Sequence, residues 1–182
     1  MKAILYHTVL EEKDYKKAEH VMGEKLLAYG LMEEYGISLD TAQRAVSEYG
    51  KPYFVDLPEI HYNISHSGAY VICGFAPVEI GLDVQIHKKV NLEGILERTV
   101  PADLARQILD TENTEEAFFR QWVLRESYIK WTGEGLHKDL RTIDMEEGWH
   151  TLLSLCQGYS AAIWSECPME IEWRHVSGEK LK

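Results

Sequence analysis

A chain of 182 residues with 45% hydrophobic and 27% charged residues can bury a core, as one domain or as two small intimate halves. Its formal charge of −11 excludes a general nucleic-acid binder, and any anionic ligand must be held by local basic groups rather than by the field of the whole molecule. Cys73, Cys156 and Cys167 are an odd number without CxxC spacing, each in an apolar run, so they read as buried reduced thiols rather than disulfides or zinc ligands. The start, MKAILYHTVLEEKDYKK, lacks the apolar core and cleavage site of a signal peptide. The longest nearly apolar run, 69–78, is too short to cross a bilayer. The expectation is a cytoplasmic soluble protein with neither a membrane nor a nucleic acid as partner.

Residues 2–10 alternate as a strand, with Ala3, Leu5 and His7 opposite Ile4, Tyr6 and Thr8. Residues 14–35 repeat Ala18, Val21, Met22, Leu26, Tyr29 and Met32 near helical period and stop at Gly36. Ser38 can cap a short second helix through about Val46. In YGKPYF, Gly50 gives a turn and Pro52 keeps Lys51 extended, which exposes the lysine on a loop.

IHYNISHS, residues 60–67, reads as a strand with His61, Asn63 and Ser65 facing one way and Tyr62, Ile64 and His66 the other. After Gly68, AYVICGFA is a near-continuous apolar strand that Pro77 breaks. Residues 79–85 form the next strand, and this last pair reads as a hairpin. Asp83 and Gln85 project from one face of it, and Gly81 leaves room beside them. Taken alone, that polar row is an ordinary solvent face.

Residues 87–113 are polar and turn-rich, with a basic His87-Lys88-Lys89 patch and short helical signals at 92–97 and 102–109. EEAFFRQWVLRESYIKWT, residues 115–132, then reads as one helix. Trp122, Glu126 and Lys130 fall at i, i+4 and i+8 and share a face, while Phe118, Phe119, Val123 and Ile129 anchor it in a core. An acid and a base on successive turns make an ordinary ion pair; they can equally meet a metal ion and a phosphate side by side. The Gly-bearing GEGLHKDL loop follows, carrying Lys138. Residues 142–145, 151–156, 159–166 and 170–175 read as strands, with Gly158 turning the middle two, and the tail SGEKLK reads as frayed. The order suggests an α+β fold of two halves of similar plan, residues 1–87 and 88–182, for which a monomer suffices.

Four pieces stand in order: KPYF, NISHSG, GLDVQ, and WVLRESYIK with GEGL after it. Together they resemble the 4′-phosphopantetheinyl transferases of the surfactin-synthetase-activating (Sfp-type) branch, over most of the chain. The resemblance implies two pseudo-two-fold-related α+β halves, each an antiparallel sheet packed with helices, and a site in the cleft between them. It implies Mg²⁺-dependent transfer of the phosphopantetheine arm of coenzyme A to a serine of an apo acyl, peptidyl or aryl carrier protein, releasing adenosine 3′,5′-bisphosphate. It makes Asp83 and Glu126 metal ligands, and Lys51, Ser65 and His66 contacts to coenzyme A. Lys130, one turn from Glu126, can reach a pyrophosphate oxygen and stabilise the leaving group. Either Glu126 or a metal-bound water can take the serine proton, with Asp103 a weaker candidate. Trp122 is read as packing.

Three departures stand out. Gln85 replaces the usual second acid of the metal strand; an amide oxygen can still ligate Mg²⁺, more weakly, or yield to water. Arg125 replaces a lysine, keeping charge but not geometry. The N-terminal segment that carries basic phosphate contacts in longer relatives is short; Lys16, Lys17, His20 and Lys25 could substitute, although helix lysines are usually just solvated. The alternative reading is a weakly active or inactive module of the same fold that binds coenzyme A or a carrier.

Overall fold

The computed structural model describes residues 1–11 and 15–181, apart from the side chains of residues 15–17 and 136. Strand β1 (Lys2–Val9) alternates as its sequence does, sending Leu5 into one apolar cluster and Tyr6 into another across the sheet. Helix α1 (Tyr15–Tyr35) buries Leu26, Leu27 and Leu31 and ends before Gly36, whose φ of 67° favours a residue without a Cβ. The expected helix at 38–46 is only a single 3-10 turn, Leu39–Thr41, and the Ser38 side chain makes no cap bond. Strand β2 (Arg44–Val46) instead pairs with β3 (Pro52–Phe54) as a small hairpin. Local helix propensity is weak, and the pairing with β3 overrides it.

Strands β4 (His61–Ser67) and β5 (Tyr70–Ala76) form an antiparallel hairpin across Gly68. The hairpin expected between β5 and the following strand does not form. Both edges of β5 are already taken, by β4 and β1, in a sheet ordered β4-β5-β1-β9. Strand β6 (Ile80–Ile86) therefore leaves for a second sheet, ordered β6-β8-β7, where it pairs antiparallel with β8 (Tyr159–Ser165). Strand β7 (Trp149–Leu153) starts earlier than its sequence suggests because Trp149 lies opposite Ser165 of β8. The last strand, β9 (Glu170–His175), returns to run parallel to β1. The sheets thus exchange strands: β6 joins partners from the second half of the chain, and β9 joins the first.

Helices α2 (Leu92–Thr99), α3 (Ala102–Leu109) and α4 (Thr114–Thr132) stand where their periodicity puts them, with Asn113 capping α4 by accepting from Glu116 N–H. α1, the first sheet, the second sheet and α4 stack in four layers. Ala3, Leu5 and Ile72 meet Ile80, Leu82 and Ile163 between the sheets, and Val123 and Tyr128 of α4 meet Ala162 and Trp164 outside them. Residues 142–145 are not a strand; a one-turn 3-10 helix ends there, and Ile143 is a single buried anchor against α4. Nor is the tail frayed up to its last described residue. Leu181 is 4% exposed and packs, with Val176, into the cluster under α1. No helix among the described residues is long and apolar enough to cross a membrane.

Candidate functional site

Gly81 decides how closely α4 approaches β6. A Cβ there would lie 1.9 Å from Ser127 O and 2.3 Å from Trp131 N, so the helix backbone rests directly on the strand. Residues 81, 83 and 85 of β6 face α4, and Asp83 arrives beside Glu126 and Lys130. Lys130 Nζ is 2.7 Å from Asp83 Oδ1, and Ser65 Oγ donates to the same oxygen at 3.1 Å. Asp83 is 7% exposed, and its charge pushes the Glu126 carboxyl further in the direction burial already drives it, upward; Lys130 partly offsets this. The structure thus brings Asp83, Glu126 and Lys130 together.

Two buried oxygens at this point, Asp83 Oδ2 and Glu126 Oε1, have no hydrogen-bond partner. Buried polar atoms are rarely left so, and two carboxylates at one point are a donor set that a hard divalent cation can use. Among the described residues no group of three or more His, Cys, Asp or Glu is arranged for a metal. Gln85, next along the face and half-buried, donates from Nε2 to Ile86 O at 3.4 Å.

The other candidates are placed differently. Lys51 is not exposed: its side chain is 12% accessible, and its ammonium reaches Glu79, Trp131 O at 2.8 Å and Ile80 O at 3.4 Å. It ties the β2–β3 hairpin to the carbonyl end of α4, where a cation is favoured. Burial lowers its pKa, and Glu79 offsets part of that. Ser65 points at β6, and its hydroxyl also accepts from Val84 N–H at 3.0 Å and from Lys130 at 2.9 Å. His66 faces the opposite way, toward α1, with Nδ1 3.5 Å from Glu19 and its ring against His20. Lys51 lines a cavity of about 210 Å³ with Tyr49, Asn63, Ile129, Lys130 and Gly133, on the flank of the carboxylate pair.

Asp103 stands on α3, exposed and paired with Arg106, as an ordinary surface ion pair would be. Lys25 and His20 are exposed on α1, while the side chains of Lys16 and Lys17 lie outside the described residues. Trp122 packs with Phe118. Arg125 is 1% exposed, with Gln121 accepting its hydrogen bonds, and burial lowers its pKa to about 10. Two further residues escape a reading by sequence, Asn63 and Ser67, which hold β6 as Ser65 does; the polar N-x-S-x-S alternation was the signal for them.

Residues 79–175 match the family model described as the 4′-phosphopantetheinyl transferase superfamily. The chain is 34% identical over 119 residues to "4′-phosphopantetheinyl transferase Sfp" of Bacillus subtilis strain 168, covering 64% of this chain and 52% of that one. It is 31% identical over 119 residues to a 4′-phosphopantetheinyl transferase of Aneurinibacillus migulanus, 64% of this chain and 49% of that one. It is 26% identical over 147 residues to the mouse L-aminoadipate-semialdehyde dehydrogenase-phosphopantetheinyl transferase, 71% of this chain and 45% of that one. The chain spans about half the length of the curated relatives it matches. With β6, α4 and the strands after it inside the matched segment, this chain belongs to the 4′-phosphopantetheinyl transferase superfamily.

Proposed function

We propose that the chain transfers the 4′-phosphopantetheine arm of coenzyme A to a serine of an apo carrier protein, with Mg²⁺ held by Asp83 and Glu126. The observation that carries this reading is the pair of buried, partnerless carboxylate oxygens beside the Lys130 ammonium. The serine oxygen forms a bond to the phosphorus that carries the arm. The pyrophosphate P–O bond breaks, and adenosine 3′,5′-bisphosphate leaves with the electron pair. Bound Mg²⁺ would supply neutralisation of the phosphate charge.

The chain's own residues do the rest. Asp83 and Glu126 would hold the cation, with Gln85 or water beside them. Lys130, anchored to Asp83, faces the leaving phosphate and offsets its growing charge. Either Glu126 or a water held by the cation would accept the serine proton. The half-buried cleft flanked by Lys51, Tyr49 and Ile129 fits a ligand with both polar and apolar parts.

The carrier can be an acyl, peptidyl or aryl carrier. We place the site where the chain segments 1–87 and 88–182 meet, at strand β6 and helix α4, with the two segments exchanging β6 and β9 between their sheets, and the chain acting as a monomer in the cytoplasm. The stacking of α1 on one sheet and α4 on the other supports a plan of two helix-covered sheets that share strands across that boundary. The test is incubation with coenzyme A, Mg²⁺ and apo carriers of each class, read by intact mass. A gain of one phosphopantetheine arm is expected on at least one carrier. No gain on any, alongside measurable binding of coenzyme A, would make the chain a binding module instead.

A further inference from the structure

Strand β6 lies at the edge of its sheet, yet its outward amides are occupied. Leu82 N–H donates to Asn63 Oδ1 at 2.9 Å, Val84 N–H to Ser65 Oγ at 3.0 Å, and Ile86 N–H to Ser67 Oγ at 3.1 Å. Three side chains at alternate positions of β4 meet three amides at alternate positions of β6. The match works because both strands repeat every second residue at the same rise.

Resting on the transferase reading, we propose that this row is a side-chain clamp in place of a strand, and that Ser65 is its positioning residue for the metal site rather than a contact to coenzyme A. A hydroxyl has one hydrogen and two lone pairs. In Ser65 the hydrogen goes to Asp83 Oδ1, and the lone pairs accept from Val84 N–H and Lys130 Nζ. The hydroxyl has no hydrogen left to donate to a phosphate. The consequence falls on Asp83: Oδ1 is committed to Ser65 and Lys130, while Oδ2 has no partner and is the oxygen offered to a cation. Ser65 thereby fixes which oxygen is free and keeps the Lys130 ammonium from turning onto both.

Two measurements test this, and the first needs no activity. In amide hydrogen exchange, Asn63→Ala should speed exchange at Leu82, Ser65→Ala at Val84, and Ser67→Ala at Ile86, each mainly at its own amide. In the second, Ser65→Ala should weaken Mn²⁺ binding measured by calorimetry, and raise half-saturating Mg²⁺ in the transfer assay, by about tenfold. KM for coenzyme A at saturating Mg²⁺ should rise by no more than about threefold, through Lys130 alone, because the Ser65 hydroxyl itself donates to no phosphate. Ser65→Thr, which keeps the hydroxyl, should restore metal affinity. If Ser65→Ala unfolds, Ser65→Cys, similar in size but a weak donor and acceptor, carries the same measurements. A rise in KM for coenzyme A with unchanged metal dependence would overturn the positioning role, and unchanged exchange at Val84 would overturn the clamp. Absence of transfer by the wild type would sink the transferase reading while leaving the exchange result to decide the clamp.

Discussion

Lys130 Nζ lies 2.7 Å from Asp83 Oδ1, joining helix α4 to strand β6 across 47 positions of sequence. Replacing Lys130 with Met leaves a buried carboxylate without its cation and, on the proposed mechanism, removes the charge that would face the leaving group. We expect transfer to fall by about 10²–10³-fold and stability by about 2 kcal/mol. Steady-state kinetics and urea denaturation check the two effects. The double variant Lys130→Met/Asp83→Asn should recover part of the stability and none of the activity.

Gly81→Ala places a methyl group within 2 Å of a backbone oxygen, at 1.9 Å from Ser127 O, where no rotamer can relieve it. Helix α4 must move outward or β6 must shift. The expected loss is about 3 kcal/mol or more, with transfer abolished even where the protein stays folded. Denaturation midpoint and activity are measured on the same preparation. An active, fully stable Gly81→Ala would mean that α4 does not rest on β6 as described.

Gln85 offers the metal strand an amide where an acid would add charge. Gln85→Glu should lower half-saturating Mg²⁺ by about tenfold at unchanged KM for coenzyme A. A Mg²⁺ titration of initial rates reads it. No change would remove Gln85 from the neighbourhood of the cation.

Lys51→Met should cost stability and shift the β2–β3 hairpin, because its ammonium holds Trp131 O, Ile80 O and Glu79. The expected loss is about 1–3 kcal/mol. Lys51→Arg should keep most of the stability. A variant as stable as wild type but with a raised KM for coenzyme A would return Lys51 to the role of an anion contact.

His7 and His150 are both held below the usual histidine range, mainly by burial. With the folded pKa below the unfolded value of about 6.5, the unfolded chain takes up protons first as pH falls. Their contribution is therefore full above about pH 6.5 and is lost as pH drops below it. Denaturation midpoints should decline from pH 7 toward pH 5, and His7→Phe, which keeps a ring beside Trp173, should flatten part of that slope.

The carboxylate pair and its lysine were legible because each lies on a regular element. Strand alternation fixes the face of Asp83, and helical period that of Glu126 and Lys130. Lys51 was not legible, since its burial depends on a carbonyl 80 positions away. The faces of Ser65 and His66 were readable, but not what each side chain meets there. The departure of β6 for a second sheet is also a global property: it follows from β5 having two partners already, one of them β1 from the start of the chain. The tail was misread for a similar reason, because the site that receives Leu181 is built by α1 and β1.

The account turns on a cation shared by Asp83 and Glu126. Diffraction from a crystal grown with coenzyme A and Mn²⁺ measures this directly through the anomalous signal. The predicted result is one peak within ligand distance of Asp83 Oδ2 and Glu126 Oε1, with Lys130 on the adjoining phosphate. A peak elsewhere, or those two oxygens turned to separate solvent with coenzyme A bound, would contradict it.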